Sequence, residues 1–201
     1  GTLTATYDNS SNNFCTLNPL NSNHSGALTN GNTTGTTAAD AVWRSTFSTI
    51  GATTGKYYWE GKCVAVGAYT GIGIASVENM TGSSGNSNFP TLTGGYAYQE
   101  DGVKNNQGSE SSYGNTYTTG DIIGCAFDST NGNMWFSKDG VWQNSATIAE
   151  IAAGTTANAA FTGITTDTTY LPTVKFYNNT TWSMNFGNGY FGTTAVVSTN
   201  A

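Results

Sequence analysis

The chain has 201 residues, enough for one β-domain with a sizeable core but too few for a second large domain. Charged residues make up only 9%, but 12% of the residues are aromatic, a content that excludes a disordered chain. The net charge is −6 and the six basic residues are scattered, so nucleic-acid binding, which needs a basic patch, is not expected. No apolar run approaches the ~20 residues of a membrane-spanning helix, so no membrane insertion is expected.

The first 40 residues are dominated by Asn, Ser, Thr and Gly. Short strands are predicted at residues 3–7 and 14–17, the second ended by Asn18-Pro19. We expect residues 1–40 to form an edge segment that packs on the domain that follows.

The first core strands are predicted between residues 41 and 77. Residues 41–50 lead into one, and residues 56–66 form another. Tyr58 and Trp59 are adjacent, and both rings need cover, so the second of these strands is predicted to be covered on both faces.

Two polar loops are predicted around the next strand. Residues 78–90 are rich in Gly, Ser and Asn and indicate a long loop, as do residues 104–115. Tyr96 and Tyr98 lie between these loops and are two residues apart, so they share one face of a strand.

The clearest local signal is a meander. A strand is predicted at residues 121–127, and Asn131-Gly132 supplies the turn residues of a tight hairpin. The return strand follows at residues 134–137. Asp139-Gly140 repeats the turn signal before a third strand at residues 141–143.

The final part of the core is predicted as one helical turn and one hairpin. Residues 147–153 indicate the helical turn, and residues 170–177 and 181–186 indicate strands joined at Asn178-Asn179. Alternation places one face of the last strand in the core, and that face carries Trp182, Met184 and Phe186.

Many short strands with frequent turn signals predict an all-β fold, an antiparallel β-sandwich of two sheets. Its domain covers residues 41–187, and residues 188–201 are expected to form a C-terminal tail. Aromatic residues within the predicted strands are assigned to the core, namely Trp59, Phe127, Phe136 and Trp182.

Groups that could support catalysis or hold a metal are scarce. His24 is the only histidine and lies in a polar loop, which provides no frame for a catalytic triad. Glu100 and Asp101 are adjacent, so they do not face each other as paired acids would. One histidine and three dispersed cysteines cannot supply a zinc site. We expect no catalytic residues, no metal and no cofactor.

Other aromatic residues border turns or loops, where flat amphipathic rings are good contacts for sugars and peptides. The alternative is that they cap the ends of the sandwich. The candidate ligand-binding aromatic residues are Tyr96, Tyr98, Tyr113, Trp142 and Tyr177.

Six motifs in a fixed order resemble the SPRY domain family. They are GKYYWE from Gly55, GIGIA from Gly71, GYAY from Gly95, TTGDIIG from Thr118, MWFSKDGVW from Met134 and MNFG from Met184. The resemblance implies a concanavalin-like sandwich that works as a recognition scaffold and not as an enzyme. It also places partner contacts in loops at one end, which here include residues 76–95 and Tyr177, Asn178 and Asn179.

The charge-poor, Ser/Thr/Asn/Gly-rich composition resembles SPRY-like domains of tailed-bacteriophage structural proteins. The expected function is recognition or adhesion in a virion, as a head fibre, decoration or tail-associated protein that is a homo-oligomer or is present in many copies on the particle. Expected partners are other virion proteins and a host-surface glycan or protein. The alternatives are a secreted bacterial carbohydrate-binding module and a purely structural capsid or tail subunit.

Overall fold

A computed structural model describes residues 13–22, 28–82 and 88–195. Two seven-stranded antiparallel sheets pack face to face, so the predicted β-sandwich is confirmed. In spatial order, the first sheet contains β1 (Leu17–Ser22), β4 (Arg44–Ser48), β13 (Tyr170–Phe176), β6 (Gly71–Ser76), β7 (Gly95–Gln99), β8 (Val103–Asn106) and β9 (Ser109–Ser112).

The second sheet contains the meander and the strands around it. Its spatial order is β12 (Val141–Trp142), β11 (Asn133–Lys138), β10 (Ile122–Asp128), β5 (Lys56–Ala65), β14 (Thr181–Asn185), β3 (Thr34–Thr36) and β2 (Leu28–Thr29). A separate small hairpin joins β15 (Tyr190–Phe191) to β16 (Thr194–Ala195). The helices are α1 (Val77–Gly82) and α2 (Ile148–Ala153), and short 3-10 turns lie at Phe89–Thr91 and Gln143–Ser145.

The core lies between the sheets and is largely aromatic. The predicted core residues Trp59, Phe127, Phe136 and Trp182 are all buried. Met184 is buried beside Trp182 and Phe186 packs against the same cluster, so the predicted alternation of β14 is confirmed. The first sheet also buries part of its outer face, where Phe89 covers Phe47, Ala75, Ala97 and Leu171.

The meander and the helical turn form as predicted. β10 pairs with β11 from Ile123↔Lys138 to Asp128↔Asn133. The turn into β12 places Asp139 and Gly140 at φ +48° and +82°, values that Asp and Gly accept more readily than bulky residues. Helix α2 begins after Thr147, whose hydroxyl accepts from the Glu150 N–H in a capping box.

The predicted final hairpin is wrong. β13 lies in the first sheet and β14 in the second, so the Asn178-Asn179 turn carries the chain from one sheet to the other. Both asparagines adopt left-handed backbone conformations, with φ of +46° and +59°. Alternation within each strand is satisfied equally well in either sheet, because both sheets bury one face in the same core.

The two predicted polar loops contain regular structure. Residues 104–115 include most of the β8–β9 hairpin, which is paired from Val103↔Ser112 to Asn106↔Ser109. β9 is an exposed edge strand of Ser and Glu and therefore lacks apolar alternation. The other loop, residues 78–90, contains most of α1 and the start of the turn at Phe89.

The region around β1 and β5 also differs from prediction. β1 begins at Leu17 and includes Pro19, which an edge strand tolerates because no ladder hydrogen bond is lost there. Tyr58 on β5 is 45% exposed while Trp59 is buried, so β5 is not covered on both faces. The strand predicted at residues 3–7 and the loop around His24 lie outside the described residues.

Candidate functional site

Three aromatic rings meet at one end of the sandwich. Register pairs Phe176 with Arg44 and Lys175 with Gly71, so β4, β6 and β13 bring adjoining loops together at this end. The ring centroids of Trp43 and Tyr177 are 4.4 Å apart, those of Trp43 and Tyr69 are 5.5 Å apart, and those of Tyr69 and Tyr177 are 5.6 Å apart. We call these three residues, Trp43, Tyr69 and Tyr177, the aromatic rim.

Tyr69 is the most exposed member of the aromatic rim, with 57% of its surface accessible. It has a left-handed backbone conformation, at φ +58°, which is uncommon for a bulky residue. Its backbone N–H donates to Oε1 of Glu100, on the loop after β7. This hydrogen bond holds Tyr69 on the surface beside Trp43 and Tyr177, both of which are half-buried.

A buried lysine supports the aromatic rim from below. Lys175 is 1% exposed, and its Nζ lies 5.0 Å from the centre of the Trp43 ring. The same Nζ donates to Oε1 of Gln99, whose amide donates to Glu110 at 2.9 Å. Burial lowers the pKa of Lys175 to about 8, although the charges of Glu100, Glu110 and Asp101 oppose this shift.

Glu100 is the carboxylate of this network that accepts a hydrogen bond from the aromatic rim. Burial raises the pKa of Glu100, while its hydrogen bonds and the Lys175 charge act in the opposite direction. Its Oε1 accepts from Tyr69, whereas Oε2 has no hydrogen-bond partner among the described residues. Beneath the aromatic rim, the site therefore contains the buried Lys175 ammonium group and a Glu100 carboxylate with one oxygen that accepts no hydrogen bond from the described residues.

The predicted residues Asn178 and Asn179 extend the aromatic rim. Both are exposed, and the Asn179 N–H donates to the carbonyl of Ala38 at 3.0 Å. Thr180 Oγ1 donates to the carbonyl of Tyr177 at 2.6 Å and closes the turn. Three predicted site residues, Tyr177, Asn178 and Asn179, thus lie together on a loop that these two hydrogen bonds hold in place.

Tyr98 and Tyr113 were predicted to contact ligand, and the structure instead places both in the core. Tyr98 is fully buried, Tyr113 is 8% exposed, and their ring centroids are 5.7 Å apart. Burial raises the pKa of Tyr98, and it raises the pKa of Tyr113 to about 12. Both rings lie on the inward faces of the chain, so they stabilise the domain and present no binding surface.

Tyr96 and Trp142 lie away from the aromatic rim. Tyr96 is half-buried, with ring centroids 5.2 Å from Phe161 and 6.1 Å from Tyr170, where β13 begins. Trp142 makes an edge contact with Tyr58 at 6.2 Å and lines an open cleft of about 660 Å³. The seven predicted residues therefore do not form one site.

Sequence reasoning missed Trp43 and Tyr69 as members of the site. Tyr69 lies within the core strands predicted between residues 41 and 77, whereas β6 begins two residues after it, at Gly71. Trp43 directly precedes β4 and Tyr177 directly follows β13. Because β4 and β13 are antiparallel neighbours, an aromatic residue just before β4 lies beside one just after β13, and this is the sequence signal that could have identified Trp43.

The described residues contain neither a cluster of metal ligands nor a helix able to span a membrane. No group of three or more His, Cys, Asp or Glu side chains in that part of the chain is arranged to hold a metal ion. The helices of the same residues are all too short or too polar to cross a bilayer. The absence of catalytic residues stays a prediction.

Comparisons with known proteins point to one family. Human Ran-binding protein 9 is 34% identical over 109 residues, which are 53% of this chain and 14% of that protein. The Drosophila melanogaster Ran-binding proteins 9/10 homolog is 30% identical over 106 residues, 51% of this chain and 11% of that protein. The chain therefore spans well under a fifth of either relative.

A solved structure and a family model complete the comparison. The SPRY domain of human HERC1 superimposes with a TM-score of 0.65 at 18% identity, covering 85% of this chain and 97% of that one, which supports the fold. The SPRY domain model matches residues 56–189, about two thirds of the sequence. The chain belongs to the SPRY domain family.

Proposed function

We propose that this chain is a non-enzymatic recognition module whose aromatic rim binds a short segment of a partner protein. SPRY domains are typically protein–protein interaction modules, which supports the class of function. The observation that carries the proposal is the convergence of Trp43, Tyr69 and Tyr177 from three loops, with ring centroids 4.4–5.6 Å apart.

The composition of the aromatic rim suits protein binding. Tyr and Trp are enriched at interaction hot spots because they bury much apolar area and lose little conformational freedom. Tyr69 is 57% exposed and is held by the Glu100 hydrogen bond, so it is already ordered before a partner arrives. Preorganisation reduces the entropy lost on binding.

A random-peptide display library, selected on the purified chain, tests this proposal. Selected peptides should lose binding at least about tenfold to Tyr69→Ala, because truncation of a hot-spot tyrosine removes most of its contact area. Tyr58→Ala is the matched control, since Tyr58 is 45% exposed on the other sheet. Peptides that bind both variants as well as the original chain would contradict the proposed site.

We propose in addition that this recognition module belongs to a bacteriophage virion, and this part is supported only by the charge-poor, Ser/Thr/Asn/Gly-rich composition. The relatives described above are animal proteins and add no support. Mass spectrometry of gradient-purified particles tests it directly. Peptides of this chain should co-sediment with intact capsids, and their absence from the particles would contradict a virion location.

A further inference from the structure

A polar cleft opens along the side of the sandwich, between an edge strand of one sheet and an edge strand of the other. One wall consists of residues 112–115, at and after the end of β9, and the other of residues 141–145, which contain β12 and the 3-10 turn that follows it. The cleft has a volume of about 660 Å³, within the roughly 300–1,000 Å³ of small-ligand sites. We call it the side cleft.

The two walls are fixed to each other by the buried side chain of Gln143. Its Oε1 accepts from the Asn115 N–H at 2.8 Å, and its Nε2 donates to the Val141 carbonyl at 2.7 Å. The carbonyl of Asn115 also accepts from the hydroxyl of Tyr98 in the core. Because buried side chains hold the backbone of both walls, the side cleft is formed before a ligand binds, which reduces the entropy lost on binding.

The side chains of both walls leave neutral polar groups available. The amide of Asn115 and the hydroxyls of Ser112 and Ser145 are exposed and make no hydrogen bond among the described residues. The amide of Asn144 makes one long contact, 3.4 Å to the carbonyl of Asn158. None of the residues that line the side cleft carries a charge. The lining therefore offers neutral donors and acceptors and no counter-charge for an ionic ligand.

The second wall contains two consecutive residues in an unfavourable backbone conformation. Asn144 and Ser145 are both left-handed, with φ of +53° and +61°. Residues other than glycine adopt this conformation at a cost in energy, and such residues concentrate at ligand-binding and catalytic sites. The strained turn places both residues in the lining of the side cleft.

Apolar surface lies beside these polar groups. Val141 is 66% exposed and Trp142 is half-buried, and both line the side cleft. Trp142 packs against the cluster around buried Trp135, so its side chain is held in place while part of it stays accessible. A sugar ring has apolar C–H faces and a periphery of hydroxyls, so it matches an aromatic ring flanked by amides and hydroxyls.

We propose that the side cleft binds a neutral saccharide, with one sugar ring against Trp142 and sugar hydroxyls bonded to Asn115, Asn144 and Ser145. Carboxamides and hydroxyls both donate and accept, as sugar hydroxyls do. A peptide would instead need an enclosed apolar pocket for an anchoring side chain, and the side cleft is open and largely polar. This site is separate from the aromatic rim and does not depend on protein binding there.

Three neutral hexasaccharides that differ in linkage and sugar test the proposal, namely cellohexaose, maltohexaose and chitohexaose. In ¹H–¹⁵N spectra, at least one of them should move the Trp142 indole signal and the Asn115 side-chain amide signals to saturation. Trp142→Phe and Asn115→Ala identify these signals. The backbone signals of Tyr69 and Tyr177 should stay in place, because these residues belong to the aromatic rim.

Asn115→Ala should weaken saccharide binding roughly three- to tenfold, as expected for one lost hydrogen bond. Its side chain bonds to no described residue in the free chain, so the fold should be unchanged. Thr116→Ala is the matched control, because Thr116 is the next residue and is also exposed but does not line the side cleft. Trp142→Ala should abolish measurable binding, and Asn115→Ala keeps the test valid if that variant fails to fold.

Failure of all three hexasaccharides to move the Trp142 and Asn115 signals would overturn the proposal. Equal affinity of Asn115→Ala and Thr116→Ala for the saccharide would do the same. A display-selected peptide that moves these signals when no hexasaccharide does would assign the side cleft to protein binding. Tyr69→Ala should keep full saccharide affinity whether or not it loses the selected peptides, and loss of the saccharide in this variant would contradict a separate site.

Discussion

The indole N–H of Trp182 donates to Thr70 Oγ1 at 2.7 Å, and both residues are fully buried. Trp182 belongs to β14 of the second sheet, while Thr70 directly precedes β6 of the first. The Thr70 hydroxyl in turn donates to the carbonyl of Lys175 at 2.7 Å. A two-step hydrogen-bond chain therefore links the sheets directly beneath the loops of the aromatic rim.

Trp182→Phe should lower the free energy of unfolding by about 2–3 kcal/mol. About 1 kcal/mol is the lost hydrogen bond to Thr70, and the rest is the cavity left by the smaller ring. Trp182→Ala should cost about 3–5 kcal/mol, because the cavity is larger. Chemical denaturation at neutral pH measures both values.

Trp59→Phe is the matched control for this prediction. It removes a similar volume from the same core, but the deleted indole N–H has no partner among the described residues. We expect it to cost at least about 1 kcal/mol less than Trp182→Phe, because an unsatisfied donor is lost with the ring. Equal losses for the two variants would show that the Trp182–Thr70 bond contributes nothing measurable.

Gly132, in the β10–β11 turn, should not accept a side chain. Its φ is +67°, and a Cβ there would lie 2.2 Å from the carbonyl oxygen of Ile164. Gly108 has a similar φ of +78° but no neighbour within 4 Å of such a Cβ. Gly108→Ala should cost about 1–2 kcal/mol from backbone strain alone, and Gly132→Ala a further 1–3 kcal/mol or so from the clash.

Thermal or chemical unfolding of the two glycine variants provides the comparison. The difference between them isolates the contact with Ile164, because both replace glycine by alanine in a left-handed conformation. If Gly132→Ala is no less stable than Gly108→Ala, the 160–164 segment must be able to move away from the turn.

Local sequence signals predicted the strands of the meander because each signal is short-range. Asn131-Gly132 and Asp139-Gly140 specify turns within a few residues, and alternation specifies the inward face of β14. The sheet to which β14 belongs depends instead on its pairing with Lys62 and Gly61 of β5, more than a hundred residues away. The alternation of inward and outward side chains along β14 therefore does not indicate which sheet the strand joins.

The candidate site was only partly predictable for the same reason. Tyr177, Asn178 and Asn179 are contiguous and follow a recognisable strand, so sequence reasoning identified them. Trp43 and Tyr69 join them only through the order of β4, β13 and β6 in the first sheet. Tyr98 was misassigned because the polar loops predicted on either side of its strand suggested a surface position, whereas strand alternation buries its ring.

Native protein should show one reactive thiol. Cys15 is partly exposed, while burial raises the pKa of Cys63 to about 12 and the pKa of Cys125 well above its ordinary value. The thiolate is the reactive species, so the buried pair should react only after unfolding. Titration with Ellman's reagent should give one fast thiol in buffer and three in guanidinium. Fast reaction of a second thiol in buffer would contradict the burial of this pair.

Lys175 should make stability depend on pH above neutrality. Its folded pKa is about 8 and its ordinary value is 10.5, so between these values the folded chain binds fewer protons than the unfolded chain. Stability contributed by Lys175 therefore rises with pH through this window, by up to about 3 kcal/mol in total. Below pH 8 the cost of burying the charge is fully present.

Lys175→Met is the control, because it retains most of the length of the side chain and removes its titration. Burial raises the pKa of Tyr113 and Cys63 to about 12. The stability that these groups contribute to the folded chain therefore falls as pH rises, and it falls equally in both proteins. Urea denaturation at several pH values should show that, between pH 8 and 10.5, the free energy of unfolding of the original chain rises relative to that of Lys175→Met. Parallel curves would mean that the lysine reaches water and that its contact with Trp43 does not persist in solution.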